Sequence, residues 1–324
     1  MNRRLIYWVA GVLAAPILLF VAARGAIGLA TWYLEKRYPP PGRMVLAGGH
    51  RRHLWCHGFG TPTIVIEPGM GMEWVTWWPI TETLAASHNV CVYDRAGYGW
   101  SEAGPTPRTA LEEATELHTM LQNARVPAPY LFVGHSVGGF IGRMYADKYA
   151  NTLSGMVMVD VLQEGVHPGG RRQTRARLLN LVPPLGWERL ERLYEGTSAL
   201  PQELKQAPKA DQDRFLFASS LVQLKSERNE FDSLAESDRE LARATFPSDL
   251  PLVVITAGRD PAHYDQQLKM VHLSHLGKQV RAENSGHTVQ RTQPEVILAA
   301  VQEVLTESNS QPAHTAGISR SFQQ

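Results

Sequence analysis

The chain has 324 residues, 44% of them hydrophobic, and a formal net charge of +1. This suits one large catalytic domain with an appendage, and the charge balance argues against a nucleic-acid-binding surface spread over the molecule. Two cysteines, with no CxxC and no Cys/His cluster, argue against a zinc site and against a disulfide-dense scaffold.

In chain order, the first element is an apolar run. Leu5 to Ala23 reads LIYWVAGVLAAPILLFVAA, without a charge. At about 1.5 Å per residue it nearly crosses a hydrocarbon layer of about 30 Å, and it is longer than the apolar part of a secretory signal. The expectation is a retained transmembrane helix within an anchor and linker over residues 1–38, with membrane lipid as its partner; a cleaved signal and a buried or interfacial helix are the alternatives. Arg3, Arg4 and the terminal amine favour a cytoplasmic N-terminus and a catalytic domain on the non-cytoplasmic side; Arg24, Lys36 and Arg37 on the other flank weaken that orientation. Pro39-Pro40-Pro41-Gly42 breaks any helix and reads as the hinge to a domain over 39–306.

Short continuous apolar runs then alternate with helix-type segments. The runs are Thr63–Ile66, Val90–Tyr93, Tyr130–Val133, Met156–Val159 and Leu252–Ile255. Strands apolar on both faces belong to a parallel sheet covered on both sides, so the fold class is a doubly wound α/β sheet. Thr109-Ala110-Leu111-Glu112 is a capping box opening a helix to about Ala124, and Thr292-Gln293-Pro294-Glu295 opens another near the C-terminus. Leu162 to Ser248 has helix-like pieces and no convincing strand; it reads as a helical lid inserted between two core strands. Residues 307–324 are polar and unpatterned, which predicts a disordered tail.

The chemistry centres on Gly134-His135-Ser136-Val137-Gly138, between the strand ending at Val133 and a helix-type run from Gly139. In this strand–turn–helix context G-x-S-x-G forces the serine into strained backbone with its hydroxyl exposed, and a side chain at Gly134 or Gly138 would meet neighbouring backbone. Serine needs a base. Of 12 histidines, His287 lies in Asn284-Ser285-Gly286-His287, on a loop before the final helix, where a base is expected. Two aspartates end core strands and can hold that base. Asp260, in Gly258-Arg259-Asp260-Pro261, is favoured, because it gives the order Ser, Asp, His along the chain and because loops after later strands converge beside the loop of Ser136. Asp160 is the rival and reads as a helix cap or hinge. Backbone N–H groups of Val137 and of Met70, in Pro68-Gly69-Met70-Gly71, are the expected oxyanion donors. His57-Gly58-Phe59-Gly60 resembles an oxyanion motif, but it precedes its strand and reads as a hairpin turn at the far end of the sheet. Trp74, Trp77 and Trp78 follow the oxyanion loop and either line a substrate pocket or pack in the core.

From about Arg43 to Leu305 the chain resembles the α/β-hydrolase superfamily. The motifs carrying the resemblance are Glu67–Gly71, Tyr93-Asp94-Arg95-Ala96-Gly97-Tyr98-Gly99-Trp100-Ser101, the Ser136 turn, Gly258–Pro261 and Ser285-Gly286-His287. The resemblance implies an eight-stranded, mostly parallel sheet, with strand 2 antiparallel and a cap after strand 6. It also implies that Asp94, Arg95 and Ser101 are structural. Where the family has His-Gly at the oxyanion loop, this chain has Pro68-Gly69. In the resembled topology strand 2 pairs with strand 4, which would set Cys56 beside Cys91; both a disulfide and two buried thiols fit. A serine at the elbow points to acyl chemistry on a small-molecule substrate, rather than to the epoxide or halide chemistry of relatives that use aspartate there. An esterase or lipase-like activity leads. An aminopeptidase or amidase, an acyltransferase and a non-catalytic binding protein are the alternatives. No cofactor and no metal is called for.

Overall fold

The computed structural model describes residues 3–37, 39–165, 223–259 and 261–310, with short pieces between 195 and 213. Residues 42–169 and 222–324 group together, and residues 1–41 group with 170–221.

In the first group eight strands form one sheet: β1 (Arg43–Ala47), β2 (His50–His57), β3 (Thr63–Glu67), β4 (Val90–Tyr93), β5 (Tyr130–His135), β6 (Leu153–Val159), β7 (Leu252–Ala257) and β8 (Gly277–Ala282). Their order is β1-β2-β4-β3-β5-β6-β7-β8. β2 is antiparallel to both β1 and β4, and every pair from β4 to β8 is parallel. Every residue of β3, β4, β5 and β7 is buried. Successive side chains of a strand point to opposite faces, so only a sheet covered on both sides buries them all. Val65, Cys91, Phe132, Met156 and Val254 join one continuous apolar cluster with residues of the covering helices.

The helices of this group are α2 (Trp78–Ala85), α3 (Ala110–Asn123), α4 (Gly138–Tyr149), α5 (Gln223–Asp232), α6 (Leu234–Leu241), α7 (Pro261–Val271), α8 (Val289–Thr292) and α9 (Pro294–Ser310). In α3 the buried positions Ala110, Ala114, Leu117, Met120 and Leu121 recur at helical spacing, and in α9 so do Ile297, Ala300, Val301, Val304 and Leu305. Thr109 caps α3 as expected, its Oγ1 accepting from Glu112 N at 3.3 Å. Thr292 does not cap α9. It closes α8, with its hydroxyl donating to Thr288 O, and α9 begins instead at Pro294. That helix runs to Ser310, past the boundary expected at 306, and residues 311–324 lie outside the described ones.

Two sequence expectations about connections change. His57–Gly60 is not a hairpin turn, because β4 lies between β2 and β3; it does stand at the end of the sheet remote from the Ser136 turn. The described part of the Leu162–Ser248 insertion has no strand, but its last third is tied to α3. Arg108 N donates to Ser233 Oγ, Ala110 N to Ser237 Oγ and Leu111 N to Glu240 Oε2. These side chains satisfy backbone donors that the first turn of a helix leaves without intrahelical partners, so α5 and α6 are built onto the core. Residues 166–194 and most of those from 201 to 222 lie outside the described residues.

β2 and β4 place Cys56 directly opposite Cys91, and the two form a disulfide. In the other group α1 (Arg3–Arg37) is one 35-residue helix with Pro16 inside it. Among the described residues no helix is long and apolar enough to cross a membrane, so the spanning helix expected over Leu5–Ala23 is not borne out.

Candidate active site

β5 leads directly into α4 through Ser136, whose φ is +55°. The glycines around it permit the turn. A Cβ on Gly134 would sit 2.6 Å from Gly138 O, and one on Gly138 would sit 2.8 Å from Glu67 O. Both obstacles are backbone, so neither moves aside. Ser136 N donates to Val159 O and Leu162 N to Ser136 O, locking the turn against the end of β6. The serine therefore stands at the carboxyl ends of the parallel strands, where ligands of open α/β sheets bind.

His287 arrives on the loop after β8. Ser285 N is bonded to Ala282 O and Arg259 N to Ser285 O, and the His287 carbonyl accepts from His135 Nε2 at 2.8 Å. The imidazole then lies with Nε2 3.0 Å from Ser136 Oγ and Nδ1 2.7 Å from Asp160 Oδ2. A carboxylate on Nδ1 selects the Nδ1–H tautomer, which leaves the Nε2 lone pair for the serine proton.

The carboxylate facing His287 is thus Asp160, where the sequence favoured Asp260; Asp260 itself lies outside the described residues. Asp160 follows β6, the strand next to β5, whereas β7 is one strand further out. Its φ of +43° bends the chain at the sheet edge. Its N–H donates to Ile255 O, and its Oδ1 accepts from Ala257 N at 2.9 Å. The carboxylate is buried, with 3% of the side chain exposed, whereas His287 is 53% exposed. No helix follows Asp160 over residues 161–163, so it is not a helix cap.

The loop after β3 passes close to Ser136: a Cβ on Gly69 would meet Ser136 Cβ at 3.3 Å and His135 Nδ1 at 2.5 Å. Among the described residues the N–H groups of Met70 and Val137 donate no hydrogen bond to the protein. Beneath this loop Arg52, Arg95 and Arg108 are packed with Glu67, Glu113, Glu116 and Glu230. Burial dominates there and pushes the Glu67 carboxyl up to about 7, against the opposing pull of Arg95. His135 is fully buried, and desolvation, reinforced by neighbouring His287, pushes its imidazole down to about 3, so it stays neutral.

Asp94 and Ser101 fill the structural places expected of them. Asp94 accepts from Trp74 N at 2.9 Å and pairs with His53 Nδ1 at 2.7 Å, and Ser101 Oγ donates to Asp94 O. Trp74 and Trp77 are core residues, 1% and 0% exposed: Trp74 packs on Trp55, Trp100 and His53, and Trp77 edges against His135. Trp78, at the start of α2, alone keeps part of its surface. Among the described residues no group of three His, Cys, Asp or Glu is placed to hold a metal ion.

A mostly parallel eight-stranded sheet with a left-handed serine at the β5–α4 turn defines an α/β hydrolase. The chain belongs to the alpha/beta hydrolase family, whose model matches residues 54–300. It is similar to the uncharacterized protein YqjL of Bacillus subtilis, 26% identical over 298 residues, covering 87% of this chain and 96% of that one. Among solved structures, Cfl2 of Burkholderia cenocepacia superposes with a TM-score of 0.63 at 19% identity, covering 81% of this chain and 94% of the other. A thermophilic esterase of Thermogutta terrifontis gives 0.57 at 18%, covering 82% and 98%. At these identities the structural likeness speaks for the fold alone, and membership of the family supports a hydrolase.

Proposed function

We propose that the chain is a serine hydrolase that cleaves an acyl bond of a small molecule, esters foremost, through Ser136, His287 and Asp160. The observation that carries this reading is the unbroken line Asp160 Oδ2, His287 Nδ1, His287 Nε2, Ser136 Oγ, with contacts of 2.7 and 3.0 Å. Ser136 Oγ attacks the acyl carbon while its proton passes to His287 Nε2, and Asp160 balances the imidazolium. The oxyanion takes hydrogen bonds from the Met70 and Val137 N–H groups. His287 then returns the proton to the leaving group, the acyl chain stays on Ser136 Oγ, and a water activated by the same imidazole releases it. The test is a panel of p-nitrophenyl acyl esters run beside aminoacyl amides, with Ser136→Ala as control. Ester turnover lost in the variant supports the reading. Amide turnover alone would make the chain an amidase or aminopeptidase, and no turnover of either would favour a binding protein.

We also propose that α1 holds the domain at a membrane. Support comes from the uncharged Leu5–Ala23 sequence and from the exposure of Val12, Ile17, Leu18, Leu19 and Val21, each at least 60% accessible. Sedimentation of the full chain with phospholipid vesicles, and loss of that binding in a chain starting at Gly42, would support it. No binding of either would oppose it.

A further inference from the structure

Arg95 lies fully buried behind the loop that follows β3, and each of its five N–H groups has an acceptor. Nε donates to Glu230 Oε1 at 2.9 Å. Nη1 donates to Glu67 Oε1 at 2.7 Å and to Pro68 O. Nη2 donates to Gly69 O at 3.0 Å and to Glu230 Oε2 at 3.1 Å. The rigid guanidinium fork fits this set, which a lysine's single ammonium cannot match. Two acceptors are peptide carbonyls of the proposed oxyanion loop. A trans peptide is planar with its C=O and N–H on opposite sides. Holding Gly69 O toward Arg95 therefore turns the Met70 N–H away from the guanidinium.

The next residue is held from the same helix. Gly71 N donates to Tyr98 Oη at 3.3 Å, and Gly71 O accepts from Gln223 Nε2 at 3.3 Å. Tyr98 Oη in turn donates to Glu230 Oε2 at 2.9 Å. Gln223 and Glu230 both belong to α5, in the segment inserted between β6 and β7, with Glu230 135 residues beyond Arg95. Glu67 at the end of β3 and Glu113 on α3 already give Arg95 counter-charges from the core. Glu230, from α5, accepts from both Nε and Nη2 and links the insertion to the loop.

We propose that Glu230 and Gln223 are positioning residues for the oxyanion loop: α5, through Arg95 and Tyr98, sets the direction of the Met70 N–H. The catalytic consequence rests on the serine-hydrolase reading above; the structural one does not.

The experiment compares wild type with Glu230→Ala and Glu230→Gln. It reads kcat and KM on p-nitrophenyl butyrate, inhibition by an alkyl trifluoromethyl ketone that forms a tetrahedral adduct, and hydrogen exchange of the Gly69–Met72 amides. Removing an oxyanion donor outright costs about 10²–10³ in kcat. Misdirecting one through Glu230→Ala is expected to lower kcat by about 10–100-fold with KM within about threefold, weaken the ketone in parallel and speed exchange at Gly71 and Met72, whose N–H groups donate to Tyr98 Oη and Gly69 O. Gln keeps one acceptor for Nε, so its losses should be smaller. If Glu230→Ala does not fold, Glu230→Gln and Gln223→Ala carry the same measurements. Unchanged kcat and exchange in the folded variants, or a fall in thermal midpoint alone, overturns the proposal. If wild-type turnover survives Ser136→Ala, the hydrolase reading fails instead, and the exchange data still decide whether α5 holds the loop.

Discussion

Asp160 holds its carboxylate by a backbone N–H from β7 on one oxygen and His287 on the other. An amide there would present a donor or an acceptor to Nδ1 without charge, and would favour the tautomer that cannot take the serine proton. Asp160→Asn is therefore expected to lower kcat by about 10⁴, as in other triads, while Asp260→Asn stays within about threefold. The reverse ranking would return the role to Asp260. His135 gives a separate test by pH. Below the ordinary histidine value of 6.5 the unfolded chain binds a proton that the buried ring, pushed down to about 3, refuses. The stability owed to His135 is thus full above 6.5 and is lost as pH falls toward 3. Glu67, raised from 4.5 to about 7, drifts the opposite way: folded Glu67 keeps a proton that the unfolded chain releases, so its share falls as pH rises through that window. That drift is common to wild type and His135→Gln and cancels in their difference. The stability advantage of wild type over His135→Gln, from urea unfolding, should shrink by roughly 2 kcal/mol between pH 7 and 5. A difference independent of pH would contradict a neutral buried ring.

The elbow works as an element because its two glycines face backbone. Gly138→Ala sets a methyl 2.8 Å from Glu67 O and should lower stability by about 1–3 kcal/mol, measured by denaturant unfolding, and reduce turnover as the loop after β3 shifts. Unchanged stability would mean the turn is looser than described. This turn was legible in the sequence because strand, G-x-S-x-G and helix each demand their own residues. So were β3 to β7, whose continuous apolar runs only a twice-covered sheet can bury. The acid was harder to place. Asp160-Val161-Leu162-Gln163 has the spacing of a capping box, and Asp160 and Asp260 both lie between Ser136 and His287, so chain order does not choose between them. What decides is that β6 neighbours β5, and spatial order across a sheet leaves no periodicity in one chain. The same gap hid β4 between β2 and β3, which made His57–Gly60 look like a hairpin. The grip of α5 on Arg95 joins residues 135 apart, beyond any local pattern.

At the scale of the molecule, the Cys56–Cys91 bond ties the antiparallel edge of the sheet to its parallel centre, closing 35 residues of chain. Chain-entropy arguments give a loop of that length about 4 kcal/mol, with 2–4 typical. Cys91→Ala paired with Cys56→Ala should lose stability of that order, and alkylation of the denatured, unreduced protein should find no free thiol. Two alkylated cysteines in protein from its native compartment would contradict the bond and the oxidising surroundings it implies. The central claim is that Ser136 is the nucleophile of a working triad, and mass mapping of the protein after exposure to a fluorophosphonate tests it most directly. A phosphonyl adduct on the peptide carrying Ser136 is expected in wild type, with none in Ser136→Ala and strongly slowed labelling in His287→Ala. An adduct on another residue, or none in wild type, would contradict it.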